Sequence, residues 1–257
     1  MSDFLILAGV NGIPEIFYTI EGEGRLVGTP SVFMRLAMCN LTCKGFISRE
    51  SPHGCDSFIS WSQRNKKTFE EIFQILEQPV GHRMGTYIDK LREGAIFKIT
   101  GGEPLVQQNA LLNFIRAFCI KYEFLPHIDF ETNGTIMPDD FWVTDLFVTF
   151  TVSPKLMNNG DAEADRYKIE VLKRLVGFQS CFKFVIKDQK DVIEVDEKYV
   201  THSIIKLPKS LIYFMPCCGS RDEQNLVSES VAEMCKRYGV KFSPRLQLLI
   251  WNKALRA

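Results

Sequence analysis

Short β-rich runs alternate with helical runs along the whole chain, and that alternation limits the fold more than any other feature. SVFMRL, AIFKI, HIDFE, LFVTFTV, CFKFVIK and LIYFM read as strands, and LQLLIW as a last one. TFEEIFQILEQP, QNALLNFIRAFCIKY, DRYKIEVLKRLV and SESVAEMCKRYG read as helices between them. Thr68 and Glu71 have capping-box spacing, and Pro79 follows the first of these helices. Strands alternating with helices predict parallel βαβ units and an α/β fold, with functional loops at the carboxyl ends of the strands. The loops after SVFMRL, AIFKI, HIDFE and LFVTFTV should therefore meet on one face.

The chain has 257 residues, enough for a sizeable core. No repeat, low-complexity segment or linker divides it, so a single domain over 1–257 is expected. Thirty-one basic residues balance thirty-one acidic ones, which leaves no electrostatic footprint for nucleic acid or an anionic membrane. The apolar run Phe4–Val10 lacks a basic lead and is too short to span a bilayer, so it reads as a strand. Eight cysteines without a secretion signal point to a reducing cytoplasm.

Cys39, Cys43 and Cys55 lie in one stretch, AMCNLTCKGFISRESPHGCDSF, and ITGGEP follows at 99–104. Three thiolates can hold three irons of a four-iron cluster and leave the fourth open. The glycine pair Gly101 and Gly102 lets backbone approach a ligand with no side chain between. An open iron beside a docking edge is what reductive cleavage of S-adenosylmethionine requires. A structural zinc site is the rival. It would need a fourth ligand, which His53, Cys217 or Cys218 could supply. Cys119, Cys181 and Cys235 sit in apolar patterns and read as buried fillers.

Glu103 could accept hydrogen bonds from an ammonium group or a ribose, or could be a solvated turn residue. Glu21, Gly22, Glu23 and Gly24 form a flexible turn before SVFMRL. Arg35 suits a carboxylate bidentately, or is a surface strand residue. The Ser57 hydroxyl could join waters and a ligand carboxylate on Mg²⁺, or be a turn residue.

Together these residues resemble the 7-carboxy-7-deazaguanine synthase family of radical S-adenosylmethionine enzymes. The likeness runs through FYTIEGEG (17–24), PSVFMRLAMCNL (30–41), CDS (55–57), TGGEP (100–104), ETNGT (131–135), VSPK (152–155) and SPRLQLLIW (243–251). It implies a modified partial (βα) barrel, usually a homodimer. It also implies conversion of 6-carboxy-5,6,7,8-tetrahydropterin to 7-carboxy-7-deazaguanine with loss of ammonia, in queuosine-type 7-deazapurine biosynthesis. The implied cofactors are a [4Fe–4S] cluster on Cys39, Cys43 and Cys55, S-adenosyl-L-methionine, and Mg²⁺ on Ser57. S-adenosylmethionine would meet Gly101, Gly102, Glu103, Ser153, Pro154, Lys155, and the segment Met215, Pro216, Cys217 and Cys218. Substrate would meet Ile20, Glu21, Gly22, Arg35 and Thr100. An electron donor such as flavodoxin or ferredoxin is the implied partner.

The chain departs from the family pattern in places. Eleven residues separate Cys43 from Cys55, where two-residue spacing is usual. Glu21 stands where glutamine is usual, Ser57 replaces threonine, Met215 replaces glutamine, and Gln247 is near a position that is often histidine. A glycyl-radical activase would share the cysteines and GGEP without needing the EGEG turn, Arg35 or SPK. A zinc-stapled binding protein is the non-catalytic alternative.

Overall fold

The computed structural model describes residues 3–47, 52–144 and 148–252. Its strands are β1 (Phe4–Leu7), β2 (Gly9–Val10), β3 (Ile13–Pro14), β4 (Ile16–Ile20), β5 (Pro30–Leu36), β6 (Asn65–Thr68), β7 (Ile96–Gly101), β8 (Ile128–Thr132), β9 (Val148–Val152), β10 (Ser180–Ile186), β11 (Ile212–Pro216) and β12 (Lys241–Phe242). Apart from the small β2–β3 hairpin, they form one sheet in the order β12-β11-β10-β9-β8-β7-β5-β1-β6, with β4 also paired to β5. From β5 through β12 the neighbours in that order run parallel, while β1, β6 and β4 pair antiparallel. The predicted parallel α/β sheet is therefore present, with an antiparallel edge.

The helices are α1 (Phe58–Trp61), α2 (Phe69–Leu76), α3 (Tyr87–Arg92), α4 (Gln108–Tyr122), α5 (Phe141–Thr144), α6 (Glu163–Arg166), α7 (Ile169–Val176), α8 (Gln189–Val195), α9 (Arg221–Tyr238) and α10 (Leu246–Trp251). The Thr68–Glu71 capping box forms at the start of α2. Four expectations change. The run Phe4–Val10 breaks into β1 and the first strand of the hairpin. DRYKIEVLKRLV divides into α6 and α7, because Tyr167 and Lys168 leave the helical region. The helix read from Ser228 starts earlier, after the Ser220 N-cap, whose side chain accepts from Glu223 N. LQLLIW is α10 rather than a strand. Six apolar-rich residues fit either element, and burial does not extend to both faces here: Leu249 and Ile250 are exposed. The start of LFVTFTV lies outside the described residues.

The central strands alternate with period two. Phe97 and Ile99, Ile128 and Phe130, Val148, Phe150 and Val152, and Phe182 and Phe184 share one face and belong to the main core. Phe73, Phe114 and Phe118 from α2 and α4 pack against that face. The opposite face carries Arg35, Lys98, Thr100, Asp129, Glu131, Thr149, Thr151, Cys181 and Lys183 in register across β5, β7, β8, β9 and β10. Among the described residues no helix is long and apolar enough to cross a membrane.

Candidate active site

Strand β5 delivers the chain to Met38 and Cys39, and β7 delivers it to the glycine pair. The two ends are tied by Gly102 N to Leu36 O at 3.2 Å and Glu103 N to Met38 O at 2.9 Å. A Cβ on Gly102 would lie 2.2 Å from Met38 O and 2.7 Å from Cys39 Cβ. A Cβ on Gly101, where φ is +151°, would lie 2.2 Å from Leu36 O. In this structure the absent side chains admit the cysteine segment, which is a different physical reason for glycine from open ligand access.

Glu103 is buried, and its carboxylate is turned into the protein. Oε1 accepts from Leu105 N (3.0 Å) and Thr132 Oγ1 (2.9 Å), and Oε2 from Asn133 N (2.7 Å). Burial pushes it up to about 7 in spite of these donors. Here it acts as the pin between GGEP and ETNGT. Asn133 Nδ2 then reaches Asn40 Oδ1 at 2.9 Å, and Asn40 Nδ2 reaches Thr135 Oγ1 at 2.8 Å, so the ETNGT turn also grips the cysteine loop.

The segment after β9 closes the third side. Ser153 N donates to Thr132 O (2.7 Å), and Lys155 Nζ donates to Ser153 Oγ (3.1 Å). The Lys155 charge acts on Cys39, Cys43 and Glu103. Asp161 accepts from Cys43 N (3.0 Å) and Thr42 Oγ1 (2.6 Å), clamping the loop from behind. Cys43 itself has φ +52°. The expected convergence of the cysteine loop, GGEP, ETNGT and SPK is thus present. Burial pushes the Cys39 thiol up to about 12 and raises Cys43.

Cys55 Sγ lies 3.4 Å from Ser57 Oγ and 3.4 Å from Trp61 Nε1. Among the described residues no three His, Cys, Asp or Glu side chains are gathered closely enough to hold a single metal ion. A four-iron cluster makes a different demand, because each thiolate binds its own iron. Three thiols on one loop, two of them receiving N–H donors at sulfur, fit that demand.

The polar sheet face forms a buried ionic cluster beside this loop. Lys98 Nζ lies 2.7 Å from Asp129 Oδ2 and 2.8 Å from Glu21 Oε2. Lys183 bridges Glu131, at 2.7 Å, and Glu23. Glu23 also meets Arg245 Nε (3.0 Å) and Gln247 Nε2 (2.7 Å). Against burial, the Lys183 and Arg245 charges hold Glu23 well below the usual carboxylate range. Against burial, Lys183 and Lys98 hold Glu131 at about 2. Burial raises Glu21.

The expected substrate residues border this cluster. Thr100 Oγ1 donates to Glu131 Oε2 (3.3 Å). Gly22 packs so closely on Gln247 that a Cβ there would lie 1.9 Å from its Oε1, a buried oxygen with no hydrogen-bond partner among the described residues. Ile20 ends β4 opposite Pro30. Arg35 Nε is bound by Glu15 Oε2 at 2.5 Å, and Ser60 Oγ holds the other oxygen of Glu15 at 2.7 Å. Met215 is buried on β11, and Cys217 N donates to Ile186 O at 3.0 Å. Pro216 O receives Cys218 Sγ at 3.5 Å. Arg245 joins this end to the cysteine loop through Cys218 O and Asp56 Oδ2.

Sequence reasoning missed Glu15, Lys98, Asp129, Lys183, Asp161 and Arg245. The signal for Lys98 and Lys183 was available: a lysine flanked by apolar β residues in IFKIT and CFKFV marks a strand with one charged, enclosed face.

Loops at the carboxyl ends of parallel strands are where α/β enzymes keep their chemistry, and this chain has the architecture of that class. No protein-family profile matches the chain. It is 30% identical to the 7-carboxy-7-deazaguanine synthase of Hyperthermus butylicus over 245 residues, covering 93% of this chain and 92% of that one. It is 29% identical to the synthase of Halobacterium salinarum over 262 residues, covering 94% and 91%. The crystal structure of QueE from Escherichia coli is similar in fold, with a TM-score of 0.60 at 18% identity over 94% of this chain and 93% of that one. The chain belongs to the 7-carboxy-7-deazaguanine synthase family.

Proposed function

We propose that this chain converts 6-carboxy-5,6,7,8-tetrahydropterin to 7-carboxy-7-deazaguanine, with loss of ammonia. The observation that carries the reading is the tying of the three-cysteine loop to GGEP, ETNGT and SPK beside a buried ionic cluster. Family membership supports it. When bound, a [4Fe–4S] cluster and S-adenosylmethionine supply hydrogen-abstracting radical chemistry that side chains lack.

Cys39, Cys43 and Cys55 would hold the cluster. Gly101, Gly102, Ser153, Pro154 and Lys155, with the segment Met215 to Cys218, would border S-adenosylmethionine. Lys155 would offer its ammonium to an anionic group. Glu103 would act through the turn it pins rather than by contact. Ile20, Glu21, Gly22, Arg35 and Thr100 would border the pterin. Glu15 fixes one edge of the Arg35 guanidinium and so orients the rest of the fork. The ion-paired side chains would present fixed donors and acceptors to a flat, polar ring, which is how positioning lowers a barrier. Ser57 would contribute its oxygen to Mg²⁺, with water and the substrate carboxylate supplying the rest.

The sheet would be the partial barrel of radical S-adenosylmethionine enzymes, in a single domain. The contact of Glu23, which follows β4, with Lys183 on β10 supports that curvature, since several strands lie between them. A homodimer and a flavodoxin or ferredoxin donor complete the proposal.

The test is ammonia release from the carboxylated tetrahydropterin by anaerobically reconstituted protein. Release should need both S-adenosylmethionine and a reductant. It should vanish in Cys39→Ala, Cys43→Ala and Cys55→Ala, whereas Cys217→Ala should still hold iron. Ammonia release that survives omission of S-adenosylmethionine would overturn the reading.

A further inference from the structure

Two side-chain N–H groups point at the sulfurs of the proposed cluster ligands. Trp61 Nε1 lies 3.4 Å from Cys55 Sγ. Asn159 Nδ2 lies 3.7 Å from Cys43 Sγ. Both distances suit a donor to sulfur, whose acceptor radius is larger than oxygen's. An indole N–H can only donate, and when enclosed it seeks a partner.

Neither donor is placed casually. Trp61 closes α1, directly after the cysteine loop. Its carbonyl accepts from Met38 N at 3.1 Å, so it ties the Cys55 end of the loop to the Cys39 end. Its ring meets Phe58 edge-on at 5.0 Å, and Phe58 stacks on His53 at 4.8 Å. These contacts fix the direction of the N–H. Asn159 is buried, and its Oδ1 accepts from Asp161 N at 3.0 Å. The same amide nitrogen lies 2.7 Å from Asp161 Oδ2, and Asp161 in turn holds Cys43 N and Thr42. A Cβ on Gly45 would lie 2.2 Å from Asn158 O, so the two backbones are in contact.

We infer that Trp61 and Asn159 are positioning residues that donate to the Cys55 and Cys43 thiolates and set the potential at which the cluster takes up its electron. This rests on the cluster assignment above. Reduction adds one negative charge to the cluster, drawn from an external one-electron donor. An N–H dipole aimed at a ligand sulfur stabilises the more negative state more than the less negative one. Hydrogen bonds to cluster sulfurs therefore raise the reduction potential, and their loss lowers it. With eleven residues between Cys43 and Cys55, the donors also give the long loop a defined sulfur geometry.

The experiment is an anaerobic redox titration of the reconstituted protein, followed by the electron paramagnetic resonance of the reduced cluster. Trp61→Phe keeps an aromatic ring and removes only the N–H. At the parent's midpoint potential, its ratio of reduced to oxidised cluster should fall about two- to tenfold, with the worth of one hydrogen bond as the upper bound. Asn159→Leu should fall in the same direction. A second measurement uses the unsubstituted protein with tryptophan labelled at the indole nitrogen, where the reduced cluster should show a magnetic coupling to that nucleus. An unchanged midpoint in a cluster-bearing Trp61→Phe protein, or no indole coupling in the parent, overturns the inference while leaving the functional reading intact. A parent that takes up no four-iron cluster overturns both, and is recognised beforehand from iron content and visible absorbance.

Discussion

Arg245 NH2 donates to Asp56 Oδ2 at 2.6 Å, and the two residues lie 189 positions apart in the chain. The same guanidinium also holds Glu23 and the Cys218 carbonyl. One side chain near the end of the chain therefore joins the cysteine loop, the turn after β4 and the turn after β11. The two ends of this contact differ in burial. The Arg245 side chain is 14% exposed and that of Asp56 is 55% exposed.

Arg245→Met should destabilise the protein by about 1.5–3 kcal/mol, because Glu23 loses one charged partner while keeping Lys183. Asp56→Asn should cost less than about 1 kcal/mol, as expected for an exposed partner. Urea denaturation of the two variants against the parent checks the asymmetry. Equal losses would contradict the assignment of Glu23 as the main partner of Arg245.

Stability should fall in acid, with Glu131 contributing to the slope. In the folded chain its carboxyl lies at about 2 against an ordinary value of 4.5, with the Lys183 and Lys98 charges overcoming burial. A depressed carboxylate contributes its stabilisation above the unfolded value and loses it as pH drops through the folded one. The contribution is at most about 3 kcal/mol, lost between about pH 4.5 and 2. Glu23 shifts in the same direction. Glu131→Gln should lower stability at neutral pH and flatten the acid limb. Denaturant midpoints measured across that pH window test this, and an acid limb as steep as the parent's would assign the slope to other groups.

Gly102→Ala should separate folding from iron binding. The new methyl would press on Met38 O and Cys39 Cβ, and relieving it moves the loop that carries the thiols. Overpacking of this kind costs about 1–3 kcal/mol, which displaces a loop more readily than it unfolds a sheet. Circular dichroism should remain close to that of the parent, while iron retained after reconstitution falls several-fold. Full iron content in this variant would show that the loop accommodates the methyl.

Added Mg²⁺ should stimulate turnover, and Ser57→Ala should reduce that stimulation while sparing iron content. Ser57→Thr should be tolerated, since it keeps the oxygen and adds one methyl. Product formation with and without Mg²⁺ in the three proteins decides the point. An identical metal response in Ser57→Ala and the parent would leave Ser57 as a neighbour of the Cys55 sulfur and no more.

The parts of the site that follow strands were legible in the sequence, because a βαβ order alone sends loops to one edge. The Thr68–Glu71 cap was legible for a local reason, since its partners are three residues apart. What joins the loops was not legible. Arg245 finds Asp56 and Glu23 through folding of the last segment, which the apolar run LQLLIW suggested was a strand and which is a helix. Glu103 was expected to face a ligand or solvent, yet the ETNGT turn supplies enough donors to turn it inward. The ionic cluster around Lys98 and Lys183 shows in the sequence only as charges within apolar strands. Which carboxylates they meet depends on register across several strands.

The central claim is that this chain turns the carboxylated tetrahydropterin into 7-carboxy-7-deazaguanine by hydrogen abstraction, and we propose the carbon bearing the substrate carboxylate as the source of that hydrogen. Substrate deuterated at that carbon, incubated with reduced, reconstituted protein and S-adenosylmethionine, tests it most directly by mass spectrometry. The account predicts deuterium in 5′-deoxyadenosine together with a product of the mass of 7-carboxy-7-deazaguanine. Unlabelled 5′-deoxyadenosine with no such product would contradict it.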